Sequence, residues 1–197
     1  PAGAKTGNCW HDIFERIDFQ ADADIIDREC TTNLKRYKLA TGSDEQIREK
    51  EDIVKKMVHH VLNADLGGFS LRDIHTSDRL SELEFNFKLS PESGHCNLNH
   101  IFGEYLKREF SLCSPDGVIR NICDGFMNGF IDLVFRQNSK YYILDWKSNK
   151  LNGTAAGFDQ SGMKREMNQH YYFLHYLIYT VALHRFLSSR QSDYDYD

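Results

Sequence analysis

Four common signatures are missing from this chain, and each absence narrows its class. No apolar run approaches the ~20 residues that a membrane-crossing helix needs, and no secretory pattern opens the sequence. Positive charge is not in excess. The 24 Lys and Arg against 29 Asp and Glu leave a formal −5, which argues against holding nucleic acid by bulk electrostatics alone. No Cys-x-x-Cys pair occurs among Cys9, Cys30, Cys96, Cys113 and Cys123. An odd number of cysteines without such a pair fits free thiols in a reducing cytosol.

What remains has the balance of a soluble globular protein, with 41% hydrophobic and 27% charged residues. A length of 197 residues is enough to bury one core, so a single domain over residues 1–197 is expected. The first residue is Pro1, which suggests a fragment of a longer chain or a processed one.

The most informative stretch runs from Phe130 to Asn149. Two apolar, β-branched and aromatic runs flank Gln137-Asn-Ser-Lys140, the pattern of a β-hairpin. If Asn138-Ser139 is a two-residue turn, paired positions sum to 277, and Asp132 falls opposite Asp145. Their Cβ atoms would then be roughly 5 Å apart. Alternation places Lys147 on the Asp145 face, and Tyr142, Leu144 and Trp146 on the other with Ile131, Leu133 and Phe135. Facing like charges destabilise a sheet unless a cation lies between them. A divalent metal such as Mg²⁺ suits two carboxylates; two solvated aspartates are the plainer alternative.

Elsewhere the chain reads mostly helical before residue 64. Trp10, Ile13, Phe14 and Ile17 form a helical stripe, with capping expected at Thr6 or Asn8, and His11 and Glu15 lie one turn apart. Residues 22–40 and 43–63 read as two further helices, the second opening on a Ser43/Gln46 capping box. Lys35, Arg36, Lys38, Arg48 and Lys50 read as a solvated face. Leu80 to Leu89 alternates as a strand with Glu82 and Glu84 on one face. A loop over Ser90–His95, a helix over Asn97–Phe110 and a strand over Val118–Cys123 are expected next. Glycines in Leu151–Met163 suggest a mobile loop, and Lys164–Leu187 reads as one long helix carrying Tyr172, His175, Tyr176 and Tyr179.

Gly129-Phe-Ile-Asp132 followed by Leu144-Asp-Trp-Lys-Ser-Asn149 resembles the PD-(D/E)xK nuclease signature, most closely that of the RecB nuclease-domain family. Gly7-x-x-x-His11-x-x-Phe14-Glu15, Tyr179 to Leu187 and Asp193-Tyr-Asp-Tyr196 extend the similarity to both ends. The resemblance implies an α/β fold with a restriction-endonuclease-like core. That core is a central mixed sheet with an antiparallel hairpin, flanked by helices and with extra N-terminal helices. It implies Mg²⁺, replaceable by Mn²⁺ or Ca²⁺, held by His11, Asp132, Asp145 and the backbone carbonyl of Trp146. Lys147 would ready the attacking water, and Glu82 would support catalysis, with Glu84 as the second choice. Tyr179 would contact substrate, as would His175, which stands where the family usually has glutamine. Some superfamily members carry an iron–sulfur cluster; the cysteine spacing here supports none.

By the same resemblance the substrate is DNA, as single strands and linear duplex ends, and the partners are the RecC and RecD subunits and the RecA recombinase. The compartment is the cytoplasm, with no membrane attachment. The family continues past Asp193 into a further strand and helix that this sequence does not contain. Two other readings stand beside the nuclease: a nuclease-fold module that docks RecC or RecA without catalysis, and another PD-(D/E)xK enzyme such as a Cas4-like or restriction nuclease. Intact Asp132, Asp145 and Lys147 favour an enzyme.

Overall fold

The computed structural model describes residues 3–89, 125–149 and 159–196. The expected loop over Ser90–His95, the helix over Asn97–Phe110, the strand over Val118–Cys123 and most of the Leu151–Met163 loop lie outside the described residues. The described elements have a mixed α/β architecture. By compactness the chain divides into two units, Pro1–Leu83 with Phe130–Lys150 and Glu84–Gly129 with Leu151–Asp197.

The first unit begins with three helices, α1 (Ala4–Arg16), α2 (Ala23–Arg36) and α3 (Asp44–Leu62). The stripe expected on α1 is its buried face, with Cys9, Ile13 and Phe14 inside, and Ile17 is buried just beyond the helix end. Gly3 takes the N-cap position, and Thr6, expected there, is buried one turn further in. On α3 both halves of the capping box form, Gln46 N–H donating to Ser43 Oγ and Ser43 N–H to Gln46 Oε1. The three helices pack through Ile26, Cys30, Leu34, Val54, Val58 and Leu62. Two arginines lash the α1–α2 connection to the segment that follows α3. Arg72 donates to the carbonyls of Phe19 and Ala21 at 2.6 and 2.7 Å. Arg79 donates to the Ile17 carbonyl at 2.6 Å while its guanidinium lies over the Phe19 ring.

Strands β1 (Arg79–Leu89), β2 (Gly125–Gln137) and β3 (Lys140–Leu144) form a sheet in that order. The antiparallel β2–β3 register runs from Gln137↔Lys140 to Leu133↔Leu144, so each pair sums to 277 as the turn predicts. Asn138 and Ser139 both have positive φ, 50° and 62°, the signature of a type I′ turn. Leu133, Phe135, Tyr142, Leu144 and Trp146 all join the core of the first unit, which places that face of the hairpin inward.

In the second unit the ring of Phe85 on β1 lies against Gly129 on β2. A Cβ at residue 129 would meet that ring at 2.8 Å, so any larger residue there would force the ring to move. Helices α4 (Gln160–Gln169) and α5 (Tyr172–Ser188) replace the single helix expected over Lys164–Leu187. The break falls at Tyr171, whose φ of 54° is left-handed and cannot continue a right-handed helix. Helix α4 also reaches back into the last residues of the expected loop, because Asp159 caps it by accepting from the Gly162 amide at 2.6 Å. No helix among the described residues is long and apolar enough to cross a membrane.

Candidate metal centre

Helix α1 and strands β1 and β2 of the first unit each contribute one side chain to a common point. Donor atoms of His11, Glu82 and Asp132 all lie within 4.8 Å of one another. His11 Nδ1 stands 3.6 Å from Asp132 Oδ1. The other Asp132 oxygen, Oδ2, accepts the Trp146 backbone N–H at 2.7 Å, which fixes the carboxylate plane.

That bond also explains how the hairpin opens. The ladder ends at Leu133↔Leu144, one pair short of the two aspartates, and the Trp146 amide is spent on the Asp132 side chain. Asp145 lies just beyond β3 and is not part of the three-residue group. Its Oδ2 is ion-paired with the Lys147 ammonium, and both side chains are partly exposed. The carboxylate of Asp145 still acts on Asp132, as one influence raising the latter's pKa.

The electrostatics of the group favour a cation. Burial pushes the Asp132 carboxyl above the ordinary carboxylate range; the Trp146 N–H and His11 pull it back only in part, and Asp145 adds to the rise. Glu82 is raised as well, first by burial and then by the Asp132 carboxylate. Negative charge here is undercompensated by the surrounding protein, the condition that a bound cation relieves.

Two ligands of one Mg²⁺ stand at most ~4.2 Å apart and two of one Ca²⁺ at most ~5.2 Å, from bonds of 2.0–2.1 and 2.3–2.6 Å. A group within 4.8 Å is therefore within the span of one Ca²⁺ as it stands, and a slight closing of the side chains brings it to the span of Mg²⁺. Two hard carboxylates and a neutral imidazole suit Mg²⁺, Mn²⁺ or Ca²⁺, so the residues present fit the metal that the sequence motifs imply.

Local backbone places these side chains. Glu82 has a φ of 51° inside β1, a left-handed conformation that costs a non-glycine residue roughly 1–2 kcal/mol and re-aims a strand side chain. Simple alternation, which put Glu82 and Glu84 on one face, is interrupted there. Glu82 joins His11 and Asp132, whereas Glu84 is exposed. Gly7, one turn before His11, lets the chain after β3 approach α1: a Cβ at residue 7 would meet Ser148 Oγ at 3.0 Å. The Gly7-x-x-x-His11 spacing carried that signal, but nothing in the residue types announced the Glu82 conformation or the Trp146 N–H bond.

Tyr179 and His175 lie one turn apart on α5, with ring centroids 5.7 Å from each other. They belong to the second unit, where the Tyr179 ring meets Phe85 edge-on at 6.0 Å.

No family model matches the chain. It is 34% identical over 199 residues to the RecBCD enzyme subunit RecB of Escherichia coli (strain K12), covering 100% of this chain and 16% of that protein. To the RecB subunit of Haemophilus influenzae it is 33% identical, covering 100% of this chain and 15% of the relative. With Mycolicibacterium smegmatis RecB the figures are 28%, 99% and 20%. The chain thus spans about a sixth of the length of the relatives it matches, and the matched segment is their C-terminal part.

Proposed function

Since the chain belongs to the RecB family along its whole length, we propose that it is one nuclease domain, a Mg²⁺-dependent deoxyribonuclease of a RecBCD-type helicase–nuclease. The observation that carries this reading is the convergence of His11, Glu82 and Asp132, with the Lys147–Asp145 pair just beyond β3. When bound, a divalent cation supplies a Lewis acid to a phosphate oxygen and lowers the pKa of a coordinated water.

The chain's own groups do the rest. His11, Glu82 and Asp132 would hold the cation, and Asp145 and the Trp146 carbonyl, which the sequence motifs add to that set, would complete its shell. The Trp146 N–H keeps one Asp132 oxygen engaged, so the other faces His11. Lys147 donates hydrogen bonds to the attacking water and to phosphate oxygens as negative charge builds on them. His175 and Tyr179 contact the DNA backbone, each able to donate a hydrogen bond to a phosphate. The substrates are single-stranded DNA and linear duplex ends, RecC, RecD and RecA are the partners, and the cytoplasm is the compartment.

The test is degradation of linear single-stranded DNA by the chain with Mg²⁺ and with chelator. Cleavage that requires Mg²⁺ and disappears in Asp145→Ala supports the enzyme. Binding of RecA or RecC with no cleavage under either condition supports the docking module instead.

A further inference from the structure

Beside the acidic group lies a cavity of about 110 Å³ whose lining includes Trp10, His11, Phe14, Met57, Trp146 and Lys147. It is small against the ~300–1,000 Å³ of pockets that enclose a drug-sized ligand, so it admits one ring system and not a whole nucleotide. Its walls are aromatic and thioether: Phe14 and Trp146 stack at 4.2 Å with 17° between their planes. Trp10, Met57, Val61 and Trp146 are only partly buried, so the slot is not sealed inside the core. Two of its lining residues, His11 and Lys147, also belong to the acidic group and its ion pair. Whatever enters the slot therefore meets the catalytic groups at its rim.

An occupant must offer a flat apolar face joined to a group that tolerates an ammonium and sits at a cation site. An unpaired nucleobase beside its own phosphate has both. We propose that Trp10 and Trp146 form a stacking slot for a base adjoining the scissile phosphate, so that the site selects nucleic acid whose bases are unstacked. This rests on the nuclease reading and adds to it a residue pair that discriminates single strand from duplex.

Both tryptophans of the chain line this slot, so intrinsic tryptophan fluorescence reports on it alone. The chain is titrated in Ca²⁺ with a short oligothymidylate and with an abasic oligonucleotide of equal length, while cleavage of the first in Mg²⁺ is followed in parallel. Oligothymidylate is expected to quench the emission and the abasic strand is not. Trp10→Leu, which keeps an apolar side chain against the core, is expected to weaken oligothymidylate binding about 5- to 150-fold, the worth of one stacked base. Binding of the abasic strand should not change. Equal quenching by both strands, or unchanged oligothymidylate affinity in a folded Trp10→Leu chain, overturns the slot even where Mg²⁺-dependent cleavage persists. Base-dependent quenching without any cleavage supports the slot and removes the nuclease reading instead.

Discussion

On one face of the β2–β3 hairpin, Leu133, Phe135, Tyr142, Leu144 and Trp146 pack into the core of the first unit. On the other, Asp132 lies beside His11 and Glu82, and Asp145 beside Lys147. The first face is satisfied by the protein itself, through apolar burial that needs nothing from outside. The second brings Asp132 and Glu82 together, two partly buried carboxyls whose charged forms the protein disfavours. One ladder supports both, because strand alternation separates them by a single residue. A hairpin can therefore be rigid for one reason and reactive for another, and substitutions on its two faces are expected to fail differently.

Asp132→Asn separates the two faces most strongly. It keeps an acceptor for the Trp146 N–H and removes the charge, so Mg²⁺-dependent cleavage should fall about 10³-fold, from a loss of several kcal/mol of transition-state stabilisation. Single-turnover kinetics read this, and the chain should stay folded by circular dichroism. Leu133→Ala attacks the inward face. Leu133 is 1% exposed, and its truncation should cost ~2–5 kcal/mol in urea unfolding while leaving cation affinity of the folded chain unchanged.

pH separates the faces without altering Leu133. Asp132 and Glu82 have raised pKa values in the folded chain, chiefly through burial. Each binds its proton more tightly folded than unfolded. Its contribution to stability is therefore complete below the unfolded value of about 4 and is lost as pH rises through the raised folded value. In chelator, wild-type stability should decline relative to Asp132→Asn as pH climbs from about 4 toward neutrality, and saturating cation should abolish the difference. Parallel stability curves would contradict the proposed electrostatic imbalance. The smallest expected effect is at the turn: Ser139→Gly relieves a left-handed φ of 62° and should add about 1 kcal/mol of stability. It should do so without changing cleavage per folded molecule, because it leaves the register intact.

Much of this arrangement was legible from residue types. Asn138-Ser139 between alternating apolar runs set the register, and the Ser43/Gln46 pair marked the start of α3, because both signals are local and made by neighbouring residues. The features that escaped depend on distant packing or on backbone conformations without a residue signal. No Gly or Pro marks the break at Tyr171, and glutamate is not a residue type that favours the left-handed conformation found at residue 82. Gly3 caps α1 although Thr6 and Asn8 are better formers of side-chain caps. In the site itself, Asp132 and His11 were marked by motif and spacing. The division of labour in which Glu82 joins them while Asp145 pairs with Lys147 follows from the end of the ladder at Leu133↔Leu144.

The site as a whole requires that His11, Glu82 and Asp132 bind one divalent cation. Calorimetric titration of the wild-type chain and of Asp132→Asn with Mn²⁺ tests it most directly. A single site in the wild type, weakened by ~100-fold or more in the variant, is the expected result; equal affinity of the two chains would contradict it.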